Sequence, residues 1–406
     1  MPQMDLLSES ELAERAATTP DRVRLLTQLG LLAPSPEGGY RPVDINRIRL
    51  AEALDGSGIS LEHLGQAIAS GDLSLRFLDD LWPEPIAMIP GKTMAELARE
   101  YGLPWDFVES SHVRLGLSRP SPEAPVREDE PMIFQTGQIF RGAGLDEAAQ
   151  TRFSRVMGEN IRRLAEAQVH FFDRTVLGPM LASGMSERQA WETASQMSPQ
   201  LTPLFEQLLL WLYRRQQETY LLQDIVEHIE ESMDRLGLGR GRMASPPAIA
   251  FLDLSGFTRL TEEQGDETAA ALAGSLAELV QDAAHAHSGK PVKLLGDGVM
   301  FYFGDPGNAV RCALQMVDEA PESGLPPAHV GVDAGPVVFQ DGDYFGRTVN
   351  VAARIAGQAG PGQVLVSDAV VAATPDDGVR FREVGPAELK GVARPVVLHE
   401  AAMASG

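Results

Sequence analysis

The sequence predicts an α+β protein, in which an all-helical half precedes a mixed sheet-and-helix domain. Three observations carry this expectation. Through about residue 236, apolar residues recur at three- and four-residue spacing, as on one face of a helix. From about residue 248, short apolar runs alternate with helical stretches. Two of those runs end in aspartate with glycine close behind: Asp253 in Phe251-Leu-Asp-Leu-Ser-Gly-Phe-Thr258 and Asp297 in Lys293-Leu-Leu-Gly-Asp-Gly298.

Composition narrows the class. A chain of 406 residues predicts two or three domains, and 44% hydrophobic with 22% charged residues is ordinary for a globular protein. The formal net charge of −23 argues against broad nucleic-acid affinity, because phosphates would be repelled. It leaves ATP binding open, since metal ions screen phosphates locally. Cys312, the single cysteine, cannot form an intrachain disulfide and fits a reducing cytosol. The start, Met1-Pro-Gln-Met-Asp-Leu, lacks signal-peptide character, and the best apolar run, Leu208-Leu-Leu-Trp-Leu-Tyr213, is too short to cross a bilayer. A cytoplasmic location is therefore expected.

Along the chain, residues 1–82 read as successive short helices. Leu12, Ala13, Val23, Leu26, Leu29 and Leu31 hold helical spacing, a turn covers residues 34–41, a helix covers residues 43–54, and Ser60 caps another. Residues 83–130 hold a partial echo: Glu96-Leu-Ala-Arg-Glu100 and Leu115-Gly-Leu117 repeat Glu11-Leu-Ala-Glu-Arg15 and Leu29-Gly-Leu31. A second helix-turn-helix-like unit is expected at residues 93–117, with a Pro- and charge-rich linker at 119–131. Residues 131–240 form a helical transducer. One helix spans residues 145–181 with Phe153, Val156, Met157, Ile161, Leu164, Gln168 and Phe172 on one face. Ser186-Glu-Arg-Gln189 is a capping box, and a long helix spans residues 203–236 with Leu222, Ile225, Ile229 and Leu236 as its lower seam.

Residues 247–401 form the mixed domain. Strands are expected at residues 248–252, 292–295, 299–303, 329–333, 336–340, 363–366 and 396–400. Helices are expected from about 258, at 268–287, at 308–319 and at 348–357. The middle pair makes a hairpin about Gly296-Asp297-Gly298. This order fits a ferredoxin-like arrangement, with sheet on one side and helices on the other. The two aspartates then suit a sheet edge where paired carboxylates hold divalent metal against a polyphosphate. Asp297 alone, between glycines, would read as a turn residue. Gly256 permits a tight strand-to-helix turn, and backbone N–H groups across Gly256, Phe257 and Thr258 are placed to bind phosphate.

Together with Asp343-Tyr-Phe-Gly-Arg-Thr-Val-Asn350-Val-Ala-Ala-Arg354, these motifs resemble the catalytic domain of class III nucleotidyl cyclases. The resemblance implies an adenylate cyclase that converts ATP to 3′,5′-cyclic AMP and pyrophosphate with two Mg2+ or Mn2+ ions per active site. Asp253, Asp297 and the main-chain carbonyl of Leu254 would be the metal ligands. Lys293 and Asp343 would read the base, lysine donating to adenine N1 and aspartate accepting from the N6 amino group. Guanylyl cyclases usually place glutamate and cysteine there, so ATP is favoured over GTP. Asn350 and Arg354, one turn apart on a helix, would serve the ribose and the charge developing at phosphorus. Lys390, in Glu388-Leu-Lys-Gly391, resembles a lysine that contacts terminal phosphates. Pro336 stands where some members carry a phosphate-binding arginine, which leaves that side of the triphosphate without its usual contact. The family arrangement implies a head-to-tail homodimer: one protomer gives Asp253 and Asp297, the other Lys293, Asp343, Asn350 and Arg354. Regulation would act by changing how the two catalytic domains meet.

The first segment resembles the winged helix-turn-helix of MerR-type regulators, through Glu11-Leu-Ala-Glu-Arg-Ala16, Val23-Arg24, Gly30-Leu-Leu32, Gly39-Tyr40-Arg41 and Ile59-Ser-Leu-Glu62. Arg15, Arg22, Arg24 and Arg41 are outweighed there by Glu9, Glu11, Glu14, Asp21, Glu37 and Asp44, and no lysine precedes Lys92. Dimerisation or protein contact is thus expected of it rather than DNA reading. The helical middle is similar to the regulatory domain of actinobacterial pH-responsive, lipid-binding cyclases, which makes a lipid or a proton the candidate regulator. His112, His170 and His228 are the histidines placed to report pH. A different class stays open, a DNA-binding or scaffold regulator whose cyclase-like domain only senses nucleotide.

Overall fold

The structure, a computed structural model, describes residues 6–82, 84–238, 245–374 and 378–404. The chain divides into two compact units, Met1–Val226 and Glu227–Gly406.

The first unit opens with α1 (Glu9–Arg15), α2 (Pro20–Gln28), α3 (Asp44–Gly56), α4 (Leu61–Ser70) and α5 (Phe77–Leu81). The apolar stripes of α1 to α4 meet in one core that includes Leu12, Val23, Leu26, Leu31, Ile45 and Ile48. Then come β1 (Met88–Thr93), α6 (Met94–Glu100), α7 (Trp105–Arg114), β2 (Pro125–Arg127) and α8 (Pro131–Gly142) around a second core of Leu97, Phe107, Val126 and Phe134. The sequence echo has a structural counterpart. Ser8 caps α1 and Thr93 caps α6 with the same reciprocal box, closed by Glu11 and Glu96 respectively. The linker expected at residues 119–131 is more ordered than its prolines suggested. Pro125–Arg127 pairs with β1, and Val126 is fully buried. A strand this short has no periodicity of its own, and its partner lies some thirty residues away in sequence.

The unit continues through α9 (Glu147–Phe172), a π-helical turn (Asp173–Leu177), α10 (Gly178–Ala182), α11 (Glu187–Ser195) and most of α12 (Ser198–Arg235), whose residues after Val226 fall in the second unit. Ser186 accepts from the Gln189 backbone N–H, but the expected capping box is only half formed, since Gln189 Oε1 accepts from the Ser186 hydroxyl at 3.2 Å rather than from its backbone N–H. Among the described residues, much of the apolar face of α9 is left open: Phe153, Met157, Ile161 and Leu164 are all exposed, as are Trp211, Leu222, Ile225 and Ile229 on α12. Among the described residues no helix is long and apolar enough to cross a membrane.

The second unit contains β3 (Ala248–Leu254), α13 (Phe257–Gln264), α14 (Asp266–Ala286), β4 (Gly289–Leu295), β5 (Gly298–Phe303), α15 (Pro306–Glu319), β6 (Ala328–Ala334), β7 (Val338–Gln340), β8 (Asp343–Phe345), α16 (Arg347–Ala356), β9 (Val364–Ser367), α17 (Asp368–Ala373), β10 (Val379–Ala387) and β11 (Val396–Met403). The main sheet runs β10-β11-β9-β6-β3-β5-β4, antiparallel except for β6 with β9, while β7 and β8 form a separate ribbon. Alternation along β3 sorts its two faces. Ala248, Ala250, Leu252 and Leu254 join the core under α14 and α15, whereas Ile249 packs with Met300, Tyr344 and Ala352 on the other side. The expectation of helices on one side alone therefore needs correction, because α16 covers the opposite face. Gly331 makes that possible: a Cβ there would lie 2.0 Å from the Ala356 backbone nitrogen. Three elements were not expected from the sequence, β8, α17 and β10.

Candidate active site

β3 ends beside the β4–β5 hairpin, and this brings the two aspartates together. Asp253 pairs across the ladder with Gly298, the residue after Asp297. Burial and the facing Asp297 carboxylate raise the Asp253 carboxyl above its ordinary range, while His329 pulls the other way. Two carboxylates that repel each other at the edge of a sheet form a site that a cation would relieve. Their hard oxygens suit Mg2+ or Mn2+. Among the described residues no three His, Cys, Asp or Glu side chains gather as a metal cluster.

Gly256 takes the left-handed conformation, φ 77°, and turns the chain from β3 into α13. Phe257 packs partly against the core and anchors the helix start. The first N–H groups of α13 lack intrahelical partners by geometry, which suits an anion there. The side chain of Thr258 lies outside the described residues.

Lys293 and Asp343, fifty residues apart, form an ion pair. The β7–β8 ribbon explains how. Tyr344 stacks flat on Tyr302 of β5, with ring centroids 4.4 Å apart, and this seats the ribbon on the sheet. Asp343, the first residue of β8, then meets Lys293 on β4. On α16, Val351, Ala352 and Ile355 are buried, leaving Asn350 and Arg354 exposed on the other side. Among the described residues neither side chain has a hydrogen-bond or ion-pair partner. Thr348 ties the helix start to the chain before it by donating to the Pro336 carbonyl at 3.0 Å. Lys390 is exposed in the connection between β10 and β11.

One residue beside Asp253 was not expected from the sequence. His329 stands opposite it on β6, with Nε2 at 3.7 Å from Asp253 Oδ2, and its Nδ1 lies 3.1 Å from Ser255 Oγ. The available signal was a histidine at the start of the β6 run, Ala-His-Val-Gly-Val-Asp-Ala. Asp333, farther along β6, is also buried and accepts from Ser367 Oγ at 2.5 Å. Cys312 is buried, and burial pushes its thiol up to about 12, so it takes no part in thiolate chemistry near neutrality.

This site lies in a stretch that matches a family model. Residues 244–400 match the adenylate and guanylate cyclase catalytic domain. Residues 41–217 match the adenylate cyclase regulatory domain, and residues 7–70 match the MerR HTH family regulatory protein. The chain belongs to the adenylate cyclase family, with a class III catalytic domain at its C-terminal end. A pH-sensitive adenylate cyclase of Mycobacterium tuberculosis is 31% identical over 73% of this chain and 74% of its own length. An adenylate cyclase of Streptomyces coelicolor is 31% identical over 55% of this chain and 56% of its own. Among solved structures, an adenylyl cyclase of P. aeruginosa is 24% identical, with a TM-score of 0.35, over 39% of this chain and 94% of that one.

Proposed function

We propose that the protein converts ATP to 3′,5′-cyclic AMP and pyrophosphate at sites shared between two copies of the chain. The observation that carries this reading is the meeting of Lys293 with Asp343 on the same domain that brings Asp253 to Asp297. A donor and an acceptor held side by side match the N1 and N6 edge of adenine, and guanine offers the opposite pattern. Asp253, Asp297 and the Leu254 carbonyl would hold two Mg2+ or Mn2+ ions. Those ions, when bound, lower the pKa of the ribose 3′-hydroxyl and offset the charge on the leaving pyrophosphate. Backbone N–H groups of Gly256, Phe257 and Thr258 bind the phosphate chain. Asn350 orients the ribose, and the Arg354 fork takes an equatorial oxygen of the α-phosphate as charge builds there. Lys390 contacts the terminal phosphates.

The outward stance of Asn350 and Arg354 supports a homodimer in which they serve the partner's nucleotide. So do the uncovered apolar faces of α9 and α12. The helical half sets the output by changing how the catalytic domains meet, and its MerR-like start serves protein contact. In that start, Arg22 is paired with Glu52 and Asp55, and Arg24 with Glu9 and Asp21, so the arginines of α2 are already neutralised. A proton is the favoured signal, given the pH-sensitive relative and the buried His112–Glu130 pair.

The test is cyclic AMP formation from ATP by the full chain with Mg2+ or Mn2+, with Asp253→Ala as the inactive control. Mixing Asp253→Ala with Asn350→Ala protein restores part of the activity if the sites are shared. Absence of product with either metal overturns the reading.

A further inference from the structure

The Asp253 carboxylate lies between two neighbouring strands, and each side of it has a distinct neighbour. On the β5 side stands Gly298, where a built Cβ would lie in ordinary contact with Asp253 Oδ1, at 3.4 Å. On the β6 side stands His329, its side chain only 13% exposed, with Nε2 at 3.7 Å from Asp253 Oδ2. The ring is held by a second contact, since Nδ1 lies 3.1 Å from Ser255 Oγ. The Ser255 backbone is itself tied to the end of the same connection, its N–H donating to the Pro327 carbonyl at 2.9 Å. The two oxygens of Asp253 are therefore not equivalent. One faces the hairpin that carries Asp297, and the other faces an imidazole edge.

We infer that His329 is a positioning residue that aims Asp253. In this arrangement the Ser255 hydroxyl donates to Nδ1, which leaves the ring proton on Nε2, facing Oδ2. The neutral ring suffices, and no change of charge is needed. Held from the β6 side, the carboxylate presents Oδ1 toward Asp297, where a shared cation would sit. Ligating carboxylates depend on such supporting contacts, and their loss typically costs about 10- to 100-fold in metal affinity. Because the contact is an electrostatic one at 3.7 Å, the lower end, about tenfold, is expected.

The inference rests on the reading that Asp253 and Asp297 hold cations, and the test separates the two. Mn2+ binding to the full-length protein is measured by electron paramagnetic resonance in the presence of a non-cyclisable ATP analogue. Five proteins are compared: wild type, Asp253→Ala, His329→Ala, His329→Gln and His329→Asn. The glutamine amide nitrogen falls near the position of Nε2 and the asparagine amide near that of Nδ1. His329→Gln is thus expected to bind Mn2+ almost as wild type, whereas His329→Asn and His329→Ala bind about tenfold more weakly. In cyclase assays the same variants raise the KM for metal more than they lower kcat. A role in strand packing alone would weaken the Gln and Asn variants equally, and that result overturns the inference, as does unchanged Mn2+ affinity in His329→Ala. If Asp253→Ala binds Mn2+ like wild type, the cation reading itself fails. If His329→Ala does not fold, the Gln and Asn pair still decides.

Discussion

The two units use their apolar residues in opposite ways. In the catalytic unit, Phe301 and Phe303 are sealed inside the sheet–helix core, with ring centroids 6.1 Å apart. In the helical unit, Trp211 is 59% exposed and Phe153 is as open, although both lie on strongly periodic helices. A sheet with helices on both faces completes its core within one chain. Long helices such as α9 and α12 form readily from sequence, but they gain stability only when their apolar face is covered. The sheet–helix core of the catalytic unit is thus closed within one chain, whereas α9 and α12 leave apolar residues open to solvent.

Four experiments would break or sharpen that contrast. The largest effect is expected at the metal pair. Asp253→Ala should lower cyclic AMP production by about 1,000-fold, as loss of a main electrostatic group does, while circular dichroism of the helices stays unchanged. A cyclase that keeps a tenth of its activity would remove Asp253 from the site. Next comes packing. Phe301→Ala should destabilise the catalytic unit by about 3–5 kcal/mol in denaturant titrations. Trp211→Ala should alter chain stability by no more than about 0.5 kcal/mol at concentrations where the protein is monomeric. Equal costs would mean the helical half has a core of its own at that position.

Base recognition ranks third. Lys293→Ala leaves Asp343 without its partner and should cut kcat/KM for ATP by about 100-fold while narrowing the preference over GTP. Unchanged selectivity would assign base reading elsewhere. The smallest effect concerns pH. His112 is buried, with Nδ1 at 2.8 Å from the Val108 carbonyl and Nε2 at 2.5 Å from Glu130 Oε1. Burial works against its charge, but the hydrogen bonds to Glu130 and Val108 outweigh it, and its pKa is raised. A raised folded value means the stabilisation is complete below the unfolded value of about 6.5 and drains away as pH rises through the folded one. The helical unit should therefore melt a few degrees lower, about 2–4 °C, on the alkaline side. His112→Gln should flatten that dependence, and a pH profile identical to wild type would discharge His112.

Much of this was open to reading before any coordinates. The strand-to-turn motif at Asp253, the hairpin at Asp297 and the helix caps at Ser60 and Ser186 are local events, set by residues within three or four positions of each other. Local sequence thus determined most helices, the first strands of the cyclase sheet and the identity of the acidic pair. The tertiary structure decided four placements. It placed α16 on the far face through the close approach at Gly331. It joined β2 to β1 and Asp343 to Lys293, and it set His329 against Asp253. Each of these depends on which distant segment lies alongside, and a strand's own residues do not encode the identity of its neighbour. Tertiary packing also left the stripes of α9 and α12 open, because helical periodicity specifies an apolar face but not what covers it.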